Sequence, residues 1–168
     1  MNTADTLMEE IALAFQGVKL EDGIGVHEAE CIDDYYKPND EIYIHWRGQD
    51  ERDDWRKVLS SFFKEEDDNE WLSSRWCFMD DQGRRFILPC FLIDVVKRYP
   101  ADRYSLRGPF FFLEDEKRSQ FLNILSPMQM DVLVKTIEQL LAWATELDNT
   151  WDIECLNKCL ETIACGRR

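Results

Sequence analysis

The chain has 168 residues, 45% of them hydrophobic and 12% aromatic, and carries a formal net charge of -14 at pH 7. That length and apolar content suffice for one packed core and exclude a disordered or low-complexity chain. Basic residues are too few and too scattered, beyond Arg84-Arg85 and the Arg167-Arg168 pair, for a phosphate-binding patch, so nucleic acid is excluded as a direct ligand.

In chain order, Thr3 and Asp5 open a helix in which Leu7, Met8, Ile11, Ala12 and Phe15 recur at helical spacing, with Gly17 placed to end it. After Gly23-Ile24-Gly25, residues 26–36 read as a second helix with Ala29, Ile32 and Tyr36 inward and Glu28, Glu30, Asp33 and Asp34 on the outer face, closed by Pro38-Asn39. Residues 40–70 are the least periodic, with short helical pieces around 54–63 and a solvated acidic loop over 65–70. A β-hairpin is expected over 74–88, because Trp76 and Phe78 alternate, as do Phe86 and Leu88, about the turn Asp80-Asp81-Gln82-Gly83. Pro89 stops that strand, and Phe91, Leu92, Val95, Val96 and Tyr99 form a helical stripe up to Pro100.

Residues 106–113 suggest a third, edge-like strand containing Pro109. Ser126-Pro127-Met128-Gln129 is the clearest local signal, a capping box with proline at the first helical position, and the helix behind it presents Leu133, Ile137, Leu140, Leu141 and Ala144. A last helix uses Ile153, Leu156, Leu160 and Ile163 and ends at Gly166. These elements imply an α+β fold: one mostly helical domain over 1–168, with a small central antiparallel sheet flanked by helices. The absence of a basic leader and of a long apolar run points to a cytoplasmic protein that neither spans nor binds a membrane. The six cysteines lack C-x-x-C spacing and read as free thiols, mostly in the core, Cys155 and Cys159 sharing one helix face.

Several blocks resemble a known family. Phe15-Gln16-Gly17-Val18, the run 20–29 (LEDGIGVHEA), Ile32-Asp33-Asp34-Tyr35, Gln49-Asp50-Glu51 with Asp54-Trp55, Phe78-Met79-Asp80, Leu88-Pro89-Cys90-Phe91-Leu92-Ile93 and Leu125-Ser126-Pro127-Met128-Gln129 are similar to a family of small acidic bacterial proteins of unknown function. The resemblance implies a bacterial cytosolic single-domain protein and supplies no catalytic or binding residue.

The charge is unevenly spread. Residues 1–70 hold twenty acidic and seven basic residues, whereas 71–168 are nearly balanced and look like scaffold. Three constellations fall in or near the acidic part. His27, Glu30, Cys31 and Asp34 share one helix face and are the candidate metal ligands of a metal-dependent enzyme, although the order matches no established signature. Asp33, Asp34, Asp53 and Asp54 offer paired carboxylates for a hard cation or for acid–base work, at low specificity. The third is an acidic and aromatic surface of Asp22, Glu28, Glu30, Asp33, Asp34, Tyr35, Asp50, Glu51, Asp53, Asp54 and Trp55, joined by Tyr36, Tyr43 and Trp46. Aromatic anchors ringed by steering charge suit a protein partner. The expectation is a binding module without catalytic residues or cofactor, of immunity or antitoxin type, that neutralises a basic toxin or effector encoded nearby. A structural or regulatory subunit, and a homo-oligomer, are the alternatives kept open.

Overall fold

A computed structural model describes residues 3–63, 74–99, 110, 113 and 118–166. Among these residues there are helices and no strands. The elements are α1 (Thr3–Ala14), α2 (Val26–Asp33), α3 (Glu41–Arg47), α4 (Trp55–Phe62), α5 (Asp81–Arg98), a 3-10 helix (Arg118–Ile124), α6 (Pro127–Glu146) and α7 (Thr150–Gly166). The α+β expectation is therefore corrected to an all-helical fold. No helix among the described residues is long and apolar enough to cross a membrane.

The expected hairpin over 74–88 does not form, and Asp80 shows why. Asp80 does not open a strand-joining turn; it caps α5, its Oδ1 accepting the Gly83 N–H at 2.8 Å and the Ile24 N–H at 3.0 Å. Behind that cap, Phe86, Ile87, Leu88, Cys90, Phe91 and Leu92 are all buried, covering every side of the helix. An element buried all round shows no amphipathic period, so the alternation of Phe86 and Leu88 carried no strand information. Pro89 lies inside the helix, where it removes one backbone bond that burial on all sides outweighs. Of the third strand proposed over 106–113, only Phe110 and Leu113 are described, both in helical conformation, and the rest lies outside the described residues. The acidic loop over 65–70, Pro100 and the Arg167-Arg168 pair lie outside them as well.

The chain divides into two compact units, residues 1–16 with 91–168, and residues 17–90. In the first, α1 and α7 both pack on α6. α1 buries Leu7 and Ile11, α6 buries Leu133, Ile137, Leu140 and Ala144, and α7 buries Cys155, Leu156, Cys159 and Ile163. The capping box forms as read: Ser126 Oγ accepts the Gln129 N–H at 3.3 Å and Gln129 Oε1 accepts the Ser126 N–H at 3.0 Å. The Gln129 amide then donates to the Ala14 carbonyl at 3.3 Å, tying the same residue to the end of α1. Four of the six cysteines are buried, while Cys77 and Cys165 are exposed, and all six are free thiols.

In the second unit, α2 packs on α3. Leu20, Ala29, Trp55, Val58 and Trp76 are buried there. Trp55, which the sequence places on an acidic binding surface, is 1% exposed and belongs to this core. Asp54 beside it is the N-cap of α4, accepting the Arg56 N–H at 3.0 Å.

Candidate partner-binding surface

Unit 17–90 carries every residue expected at the binding surface, and the fold sorts them into two groups. The first group is engaged in ion pairs and helix caps within the unit. Glu28, expected on the outer face of α2, is 2% exposed. Its Oε1 accepts hydrogen bonds from the Tyr43 hydroxyl and the Arg47 guanidinium, and its Oε2 faces Arg52 Nη2 at 3.5 Å. A buried carboxylate is tolerated only when paired, and these three partners supply the pairing. Arg52 also donates to the carbonyls of Glu21 and Gly23, so the same cluster gathers the 20–25 turn.

Asp50 is equally structural. Its two oxygens accept the His27 N–H at 2.8 Å and the Glu28 N–H at 3.1 Å, capping α2 from a distant point in the chain. Gly25, the N-cap residue of α2, has no side chain, and a Cβ there would fall inside the Asp50 carboxylate. Burial pushes the Asp50 carboxyl above its ordinary value, and the two N–H bonds oppose that shift without cancelling it. Glu51 accepts the N–H groups of Asp53 and Asp54 and pairs with Lys57 at 2.9 Å; the Lys57 ammonium first, then the Asp53 N–H, hold its carboxyl below the ordinary value. Asp53 pairs with Lys19 at 2.7 Å, Asp54 with Arg56 at 3.5 Å, and Glu30 with Arg75 at 2.6 Å. The 50–55 segment is thus a cap, a turn and a helix start.

The second group faces outward. Asp22, Asp33 and Asp34 are exposed, and their carboxylates hold no ion pair among the described residues. Tyr35 follows them at 85% exposure. It occupies the left-handed region with φ 65°, at the position just after the C-cap of α2. Tyr35 N–H donates to Ile32 O at 3.1 Å and Tyr36 N–H to Cys31 O at 2.9 Å, the bond pair of a Schellman motif. Glycine normally fills that position because a Cβ is disfavoured there. Tyr35→Gly is therefore expected to stabilise the unit by about 0.5–1 kcal/mol, read as a higher denaturant midpoint at unchanged slope. A lower midpoint would show that the ring packs usefully where it stands.

Beyond this turn, α3 leaves Ile42, Ile44 and Trp46 exposed, and Tyr36 is at the edge of exposure. Sequence reasoning missed Ile42 and Ile44, and it missed Arg47 and Arg52 as counter-charges to Glu28. The signal available was Tyr43 and Arg47 one turn apart in EIYIHWR, a polar pair at the spacing of an inward face.

The metal reading finds no geometry to support it. His27 stacks on Trp46 with ring centroids 5.2 Å apart and meets Phe62 edge-on at 5.3 Å, while Glu30 goes to Arg75. Among the described residues, no three or more His, Cys, Asp or Glu side chains are grouped to hold a metal ion.

The Glu28 cluster also marks Tyr43 spectroscopically. Burial first, then the hydrogen bond to the Glu28 carboxylate, push its hydroxyl from the ordinary 10 to about 12; burial and the Asp152 carboxylate do the same for Tyr99. A folded pKa above the unfolded one means each protonated hydroxyl adds stability below pH 10, and that stability is lost as pH rises through about 12. Near-ultraviolet titration should show late ionising steps for these two tyrosines, and Tyr43→Phe should remove one of them. An unchanged late amplitude in that variant would refute the assignment.

The site is thus that of a helical protein with an outward acidic and aromatic turn set on an ion-paired frame. Residues 3–158 match the model of a family of unknown function, DUF6714, and the chain belongs to that family. No curated protein and no solved structure matches it.

Proposed function

We propose that this protein is a binding module that neutralises a basic protein partner, of the bacterial immunity or antitoxin type, through the exposed turn after α2. The observation that carries the reading is Tyr35, an 85% exposed aromatic held in the left-handed region beside the unpaired carboxylates of Asp33 and Asp34. Strain at a bulky residue persists when selection acts on something other than stability, and an exposed tyrosine ringed by charge is a common contact anchor. Unpaired carboxylates add steering, since they raise the encounter rate with a positive surface and lose that effect in salt. The partner is then a basic toxic effector met in the cytoplasm, with no cofactor required.

The test is co-expression with the product of the adjoining gene, followed by association kinetics across salt concentrations. The expected result is a complex whose association rate falls steeply with salt, and falls further in Asp33→Asn/Asp34→Asn. The charge-matched control Asp5→Asn/Glu9→Gln, exposed on α1, should leave the rate close to native. Absence of a complex, or equal effects of the two pairs, would refute the reading.

A further inference from the structure

The arrangement of α3 is inverted relative to an ordinary surface helix. In a globular protein the apolar side of a helix faces the core and the polar side faces water. In α3 the inward residues are Tyr43 and Arg47, both bonded to the buried Glu28 of α2. The outward ones are Ile42, Ile44 and Trp46, between 42% and 59% exposed. A seven-residue helix does not hold itself together in water, so its persistence depends on that anchor. The anchor is polar, which leaves the apolar side chains unspent.

Ile42 and Trp46 stand one turn apart and form a single apolar strip. Trp46 is fixed by the stacked His27 ring, with His45 edge-on at 5.4 Å. A Trp already held in place loses little rotamer freedom on binding, which is the economy of a preorganised contact residue. The strip lies next to acid: Asp40 and Glu41 open the helix, and Asp33 and Asp34 end the preceding one.

We infer that α3 is the recognition helix of this protein, and that its Ile42–Trp46 strip enters an apolar groove rimmed by lysine and arginine on a basic protein partner. The inference rests on the binding role proposed above and adds the mode of contact. Charge selects the occupant. A second copy of this chain, paired about a two-fold axis, would bring Asp33, Asp34, Asp40 and Glu41 of both copies towards one another, and the segment 33–47 that carries them holds only Lys37 and Arg47 as lysine or arginine to offset them. Arg47 is already committed to Glu28. A basic rim meets the same carboxylates favourably.

The experiment uses the full-length chain and the purified product of the adjoining gene as the probe. Trp46→Ala and Ile42→Lys should each weaken the complex by at least about thirtyfold, as loss of a central aromatic or apolar contact does. Leu13→Ala, at a still more exposed apolar residue on α1, should bind within threefold of native. Far-ultraviolet circular dichroism of all three should match the native chain, and so should the melting temperatures of Leu13→Ala and Ile42→Lys, while Trp46→Ala gives up its stack on His27 and should melt slightly lower. Binding by Trp46→Ala and Ile42→Lys within about threefold of native overturns the inference while leaving the proposed function standing. A native chain that fails to bind overturns the function itself. Sedimentation gives the remaining arm: a native homodimer dispersed by Ile42→Lys assigns the strip to a second copy and overturns the inference, whereas a monomer supports it.

Discussion

Glu28→Ala is expected to lower the stability of unit 17–90 by about 2–4 kcal/mol, one of the largest effects of any single change to the acidic residues. The substitution removes the acceptor shared by Tyr43 and Arg47 and the counter-charge of Arg52. The full cost of breaking a buried pair is about 3–5 kcal/mol, but Arg47 and Arg52 keep 36% and 27% exposure and regain some hydration by turning outward, which reduces it. Tyr43 cannot turn outward so cheaply, being buried, and its hydroxyl is left without the carboxylate. The loss should concentrate in α3, whose anchor this is. Amide exchange should therefore show residues 41–47 losing protection before α4 or α5 does. A change within about 0.5 kcal/mol, the range for surface substitutions, would mean Glu28 is an ordinary solvated residue after all. Glu28→Gln should fall between, since it keeps an acceptor and loses the charge.

Gly83→Ala is expected to cost about 2–3 kcal/mol, against the helix-propensity trend. Alanine in a helix is ordinarily worth about 1 kcal/mol over glycine, so propensity alone predicts a gain at this first-turn position. A Cβ on Gly83, however, would overlap the Ile24 carbonyl oxygen and stand 3.1 Å from Asp80 Oδ1. The first of these neighbours is backbone and cannot rotate away. Relief would need the 20–25 turn to shift, and that turn is already held by the Asp80 bond to the Ile24 N–H and by Arg52. Gly166→Ala supplies the contrast, because nothing lies within 4 Å of a Cβ there. Chemical denaturation of both variants tests the pair: Gly83→Ala destabilised and Gly166→Ala neutral or stabilised. Equal small effects would show that the approach of Ile24 to α5 is loose.

Much of the second half, and the end of α1, were legible because local rules and tertiary packing agree there. The capping box at Ser126 and Gln129, the stripe of Leu133, Ile137, Leu140 and Ala144, and the Gly17 stop after α1 follow from side-chain chemistry within a few residues. The helical stripe from Phe91 to Tyr99 is legible and forms, whereas 74–88 is not, because its Asp-Asp-x-Gly segment has the composition of both a tight turn and a helix cap. Only the partner of Asp80, the Ile24 N–H 56 residues earlier, separates the two.

The acidic surface was misread for a related reason. A carboxylate looks the same in sequence whether it steers a partner or caps a helix. Composition located the negative charge in residues 1–70 and set it beside tyrosine and tryptophan. Folding then divided that charge, engaging Glu28, Asp50, Glu51 and Asp54 as counter-ions and caps while leaving Asp33, Asp34 and Tyr35 unpaired in water. The sequence by itself determined how much charge the protein carries, where its clearest helix begins and which residues suit a core, because those depend on single side chains and short spacing. Only the tertiary structure decided which carboxylates are spent on the fold, because burial and pairing are set by residues distant in the chain.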